Sequence, residues 1–192
     1  GANRIGDGES LSDYLTKQAK HANITAYEDL TPERKLTMAE NSSTRFFLNL
    51  KERMMQCSDV VIYIHGYSVS WEAAVGGALA LEYMLNSKRR EGEKEVMVVL
   101  FSWPSNGSKM PFAAYKSDRS DARDSGKAVG RALLKLKDFL ASLHKDAREG
   151  EEELCDQDLH LLCHSMGNYV LQSAVNNKVI GYAGGYTLPR MF

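Results

Sequence analysis

Apolar positions along the chain follow two rhythms. Val60-Val61-Ile62-Tyr63-Ile64, Val96 to Phe101 and Asp158 to Cys163 are short runs rich in apolar, β-branched and aromatic residues. Runs of that length without polar alternation predict buried strands of a parallel sheet. Between and after them the period is helical. Trp71 to Asn86 predicts one helix, and Asp121 to about His144 a second, with Val129, Leu133, Leu136, Phe139 and Leu140 on its apolar side. Asn168 to Val175 predicts a third. Strand and helix thus alternate through the chain. That order implies an α/β fold: a parallel sheet with helices on both faces, joined by right-handed crossovers.

The flanking segments are read more coarsely. Leu11, Tyr14, Leu15 and Gln18 mark a short helix, and Thr31-Pro32-Glu33 resembles a helix start with proline in the first turn. From Ser43 to Gln56, Phe46, Phe47, Leu50, Met54 and Met55 form a stripe at helical spacing, read as core packing. The expected division is a helical extension over residues 1–57 and a partial α/β domain over 58–192. In the Trp71 helix, Gly76 and Gly77 interrupt a side built of alanines. Each glycine costs roughly 1 kcal/mol relative to alanine, so a close approach to the sheet or a neighbouring helix is expected to offset it. Ser87 to Glu95 and Lys145 to Glu153 read as charged, solvated connections, and Gly181 to Gly185 as a loop or chain end. Ser102 to Ser120 reads as a long loop leaving the carboxyl end of a strand, the side where open α/β sheets bind ligands. Its Trp103, Met110, Phe112 and Tyr115 are candidates to line an apolar pocket, together with Ser68, or else to anchor the loop on the core.

Composition narrows the function classes. A chain of 192 residues with a net charge of −1 fits one soluble domain and offers no strong attraction for nucleic acid or anionic membrane. Three cysteines, Cys57, Cys155 and Cys163, form neither a disulfide framework nor a metal spacing and fit a reducing, cytoplasmic compartment. No apolar run approaches the ~20 residues of a membrane span, and no leader segment is visible. Phosphate-binding glycine loops are absent after the strands, so neither a nucleotide nor another cofactor is expected. The expected partner is a small-molecule or acyl substrate. Nothing in the sequence sets an oligomeric state.

The chemistry gathers at two strand ends. Cys163-His164-Ser165-Met166-Gly167 stands between a predicted strand and a predicted helix. A serine on such a turn is the nucleophile elbow of α/β hydrolases, with the pattern G-x-S-x-G. Cys163 replaces the first glycine, and Gly167 keeps the last. The turn would present Ser165 at the carboxyl edge of the sheet and aim the Met166 N–H at a developing oxyanion. The bland alternative is that Ser165 caps the following helix. The strand at 60–64 ends in His65-Gly66-Tyr67, where such enzymes build the other half of the oxyanion hole. That second donor is assigned to the Tyr67 N–H, with Ser68 as the runner-up. His65 and His164 are read as supporting the two turns. No residues are read as metal ligands.

Three blocks, Tyr63-Ile64-His65-Gly66-Tyr67, Leu100-Phe101-Ser102-Trp103-Pro104-Ser105 and His164-Ser165-Met166-Gly167-Asn168, resemble in that order a family of uncharacterised bacterial α/β hydrolases, a domain of unknown function. Tyr115, Asp118, Asp121 and Ala122 also resemble its pattern. The resemblance covers roughly residues 58 to 177. It implies a Ser-His-Asp hydrolase fold, with the His65 strand between the other two strands, and it names no substrate.

A serine nucleophile needs a base, and the base needs an acid to orient it. The chain has five histidines: His21, His65, His144, His160 and His164. None stands where a base is expected. Asp59, Asp156 and Asp158 lie near strand starts, while Glu72, Asp118 and Asp121 lie toward the correct edge. The expectation is a fold truncated after the elbow helix, with acid and base beyond Phe192, so that this fragment alone would be almost inactive. A non-catalytic binding module and a serine acyltransferase or thioesterase remain the alternatives.

Overall fold

The computed structural model describes residues 10–19, 42–105, 113–148 and 157–176. The expected helix start at Thr31, the pocket candidates Met110 and Phe112, His21 and the Gly181–Gly185 segment lie outside them. The elements are α1 (Leu11–Ala19), α2 (Ser42–Met54), β1 (Cys57–Ile64), α3 (Trp71–Asn86), β2 (Glu95–Phe101), α4 (Ala113–Arg148), β3 (Asp158–Cys163) and α5 (Gly167–Asn176).

The three described strands form one parallel sheet in the order β2-β1-β3, with the His65 strand in the middle. Register decides what meets at the functional edge. Ile64 pairs with Phe101 on one side and with Cys163 on the other. The last residues of all three strands therefore form one row. The segments that follow them, beginning at His65, Ser102 and His164, leave the sheet side by side.

The pleat sends alternate β1 residues to opposite faces. Val60, Ile62 and Ile64 are buried in a core shared with Met97, Trp103, Ala122, Val129, Leu133, Leu136, Met166, Val170 and Ala174. Those partners come largely from α4 and α5. Leu50 and Met54 of α2 belong to the same core, so part of the 1–57 segment packs with the sheet. On the other face Tyr63 points toward α3, its hydroxyl 3.9 Å from where a Cβ on Gly77 would stand.

Of the two glycines of α3, Gly76 has the expected close neighbour, in α1. A Cβ on Gly76 would run into the backbone of Thr16, 2.6 Å from its nitrogen. Near its C-terminal end α3 also closes the outer edge of β2. Asn86 Oδ1 accepts from the Val96 N–H at 2.9 Å, and Glu82 Oε2 accepts from the Val98 N–H at 2.8 Å. Two edge donors are thus satisfied by side chains, which blunts the edge against pairing with another strand.

The largest departure from expectation is α4. The sequence placed its start at Asp121 and its end near His144, whereas the helix runs from Ala113 to Arg148. Tyr115 and Asp118 are therefore helical rather than in a loop, and Lys145 continues the helix. The reason lies on the buried face. Asp118, Ala122, Gly126, Val129 and Leu133 are all buried at helical spacing, and Asp118 is 0% exposed. An aspartate at the head of an apolar stripe reads as its boundary, although here it is buried as a member of the stripe. Gly126 lets α5 approach closely, since a Cβ there would lie 2.6 Å from the Ser173 side chain. Among the described residues no helix is long and apolar enough to cross a membrane.

Candidate active site

Ser165 sits on a sharp turn with φ +50°. That left-handed region is costly for a residue with a Cβ. The turn is fixed from several directions. The Gly167 N–H donates to the His164 carbonyl at 2.8 Å, and the His164 N–H to the Ile64 carbonyl at 3.0 Å. Asn168 Nδ2 donates both to the Cys163 carbonyl at 3.0 Å and to the Ser165 carbonyl at 3.1 Å, tying the strand end to the first turn of α5. A Cβ on Gly167 would lie 2.5 Å from the Ile64 oxygen and 2.8 Å from the His65 oxygen. Glycine at the last place of the motif lets α5 begin directly against the end of β1.

The turn exposes Ser165 and buries the Met166 side chain. Helix capping does not occupy the serine. The Asn168 N–H donates to the Ser165 carbonyl oxygen at 3.0 Å, and no described group hydrogen-bonds the Ser165 hydroxyl. Ser70 at the start of α3 shows the contrast, its hydroxyl accepting from the Ala73 N–H at 3.3 Å. Cys163 keeps a half-buried thiol whose pKa burial pushes up, so it stays protonated and poorly nucleophilic.

The loop after β1 lies against this elbow. A Cβ on Gly66 would stand 2.7 Å from His164 Nδ1 and 3.0 Å from the Ser165 Cβ. Among the described residues, the backbone N–H groups of Tyr67 and Met166 donate to nothing. The Ser68 N–H, by contrast, donates to Asp118 Oδ2 at 3.2 Å. The runner-up donor therefore already has a partner.

His65 is 1% exposed, and both ring nitrogens are engaged. Nε2 accepts from the Trp103 backbone N–H at 3.2 Å and lies 3.1 Å from the Ser102 hydroxyl. An accepting Nε2 leaves Nδ1 protonated, so Nδ1–H donates to the Gly66 carbonyl at 3.1 Å. Burial lowers the His65 pKa and keeps the ring neutral, although its bond to the Gly66 carbonyl and the charge of Asp118 pull the other way. Ser102 and Trp103, the centre of the F-S-W-P-S block, thus hold the histidine that shapes the loop.

The other expected residues divide clearly. Trp103 is 3% exposed and packed on His65, which makes it an anchor. Tyr115 is 48% exposed and meets the Tyr67 ring edge-on, with centroids 5.7 Å apart. His160 lies on an exposed position of β3, with Nε2 3.4 Å from Asp59 Oδ1. Neither it nor His65 pairs with Ser165. Among the described residues no cluster of His, Cys, Asp or Glu could hold a metal ion.

Sequence reading missed Asn168 and Ser105 as builders of the site and gave Asp118 only a minor place. For Asn168 a signal existed: an amide immediately after the elbow glycine, within reach of the last strand carbonyl. Ser105 and Asp118 stood out only through the blocks that resemble the family, and nothing local gave their roles, because their partners are remote in sequence.

Neither curated proteins nor solved structures provide a match to the chain. A family model does: the family described as Alpha/beta hydrolase of unknown function (DUF900) matches residues 40–183, most of the chain, and the protein belongs to that family.

Proposed function

We propose that the protein is a serine hydrolase that cleaves an ester, thioester or amide through an acyl-enzyme on Ser165. The observation that carries this reading is the exposed Ser165 at φ +50°, whose hydroxyl has no described partner, flanked by two backbone donors with none either. A tight turn of this kind presents a hydroxyl for attack on a carbonyl carbon. In the proposed reaction a base takes the Ser165 hydroxyl proton as the oxygen bonds to that carbon, and the carbonyl π pair becomes an oxyanion facing the Tyr67 and Met166 N–H groups. Its collapse breaks the bond to the alcohol, thiol or amine, which leaves with that proton, and water then releases the acid and restores the hydroxyl. Loss of one such donor typically costs ~3–4 kcal/mol of transition-state stabilisation. The exposed face of Tyr115, beside Tyr67 and with Ser68 nearby, is proposed to meet the acyl group.

The test is labelling of the natural full-length gene product with a fluorophosphonate probe, followed by mass spectrometry. The expected result is a single adduct on Ser165, absent from Ser165→Ala. A folded protein that forms no adduct would overturn the reading and favour a non-catalytic binding module. Product analysis with an added acceptor alcohol separates hydrolysis from acyl transfer.

A further inference from the structure

Asp118 is 0% exposed, and neither the elbow nor the reaction above uses it. An ionisable group so deeply buried is expensive unless hydrogen bonds satisfy it. Its Oδ2 accepts from the Ser68 backbone N–H at 3.2 Å and from the Ser105 hydroxyl at 2.8 Å. The Ser105 oxygen in turn accepts from the Val69 N–H at 3.2 Å. One carboxylate oxygen therefore gathers two successive backbone donors of the loop after β1, the second through a hydroxyl relay. The same loop holds Ser68 at φ +55°, a conformation that an unsupported serine rarely keeps. The contacts join α4, the segment after β2 and the segment after β1.

We infer that Asp118 is a positioning residue that latches the 67–69 loop and so aims the Tyr67 N–H at the reaction centre. This assignment rests on the hydrolase reading for its catalytic consequence, though not for the latch itself. With the donors of Ser68 and Val69 committed to the Asp118 side, Tyr67 is the residue of 67–69 whose N–H has no described partner, and it stands next to Gly66 beside Ser165. Hydrogen bonds to an ionised acceptor are stronger than neutral ones, which suits a carboxylate to hold a strained turn. Asparagine at the same place keeps an acceptor oxygen but loses the charge, whereas alanine removes both.

The experiment uses amide hydrogen exchange and fluorophosphonate labelling on the same full-length proteins: wild type, Asp118→Ala, Asp118→Asn and Ser105→Ala. In wild type, the Ser68 and Val69 amides are expected to be protected despite their place in a loop. Asp118→Ala should lose both while the Ile62 and Ile64 strand amides stay protected. Its labelling of Ser165 should slow by about 10- to 100-fold, the scale of an ångström-sized misplacement of a reacting group. Asp118→Asn should recover most of the labelling rate. Ser105→Ala, which leaves the Ser68 bond in place, should deprotect Val69 alone and serves if Asp118→Ala does not fold. Fast exchange of Ser68 in wild type, or unchanged Val69 protection in Ser105→Ala, would overturn the latch. Lost protection with undiminished labelling would overturn its role in positioning Tyr67. A wild-type protein that forms no adduct would defeat the hydrolase reading and this catalytic role with it, while the exchange data still decide the latch.

Discussion

The rings of His65 and Trp103 lie nearly parallel, 9° apart with centroids separated by 5.3 Å, and the indole Nε1–H donates to the His65 carbonyl oxygen at 2.8 Å. The Trp103 backbone N–H donates to the same histidine's Nε2. The carboxyl ends of β1 and β2 are thus clamped by two bonds and a stacked ring. Trp103→Phe would keep an aromatic ring and remove the indole donor, leaving a buried carbonyl short of a partner. The expected loss is about 1–3 kcal/mol, read as a lower urea midpoint with an unchanged slope. An unchanged midpoint would show that water replaces the indole at no cost.

Burial of the neutral His65 ring links stability to pH. Its folded pKa is depressed below the ordinary 6.5, first by desolvation. Between the folded value and 6.5 the unfolded chain binds more protons, so stability rises with pH across that window. The contribution is fully present above 6.5 and is lost as the pH falls through the folded value. Denaturant unfolding of wild type and His65→Gln at several pH values checks this. The gap between them should narrow on acidification, and a constant gap would exclude the linkage.

Gly66 and Gly167 are expected to tolerate a methyl group very differently from an exposed glycine. A Cβ at Gly167 meets the Ile64 and His65 carbonyl oxygens at 2.5 and 2.8 Å, both backbone atoms that cannot swing aside. Gly167→Ala should cost roughly 1–3 kcal/mol or more, the usual scale of overpacking. At Gly66 the nearest atom is His164 Nδ1, the end of a side chain that can rotate, and the Ser165 Cβ stands next to it at 3.0 Å. Gly66→Ala should therefore disturb Ser165 labelling more than it disturbs stability. Thermal melts and probe labelling of the two variants would separate the effects, and equal behaviour of both would refute the distinction.

The φ of +50° at Ser165 can be isolated by comparing two variants that both lack the hydroxyl. Alanine keeps a Cβ in the left-handed region, whereas glycine adopts it freely. Ser165→Gly is expected to be more stable than Ser165→Ala by roughly 1 kcal/mol. A glycine variant no more stable than the alanine variant would mean the turn relaxes when the serine is removed.

The positions of the strands and the elbow were legible because their signals are local, but β3 (Asp158–Cys163), expected to be buried, alternates exposed and half-buried residues, with Leu162 exposed. Val60 to Ile64 must be buried to satisfy its apolar side chains. Cys163 to Gly167 carries its turn in five consecutive residues. The long helix of residues 113–148 was legible only from Asp121 onward, since the first buried residue among its described side chains is an aspartate. Nothing within a few positions of Asp118 says whether a carboxylate there faces water or a loop. Its partner Ser68 stands 50 residues away, and Trp103 stands 38 residues from His65. A polar side chain becomes buried when distant donors arrive to replace its water, and strand register brings those donors together. The chain therefore encodes in short range the sheet, the elbow serine and the glycine that lets the turn close. Packing across β1, β2, α4 and α5 sets the tautomer of His65, the anchoring of Trp103 and the burial of Asp118, because each depends on atoms that meet only after the strands pair.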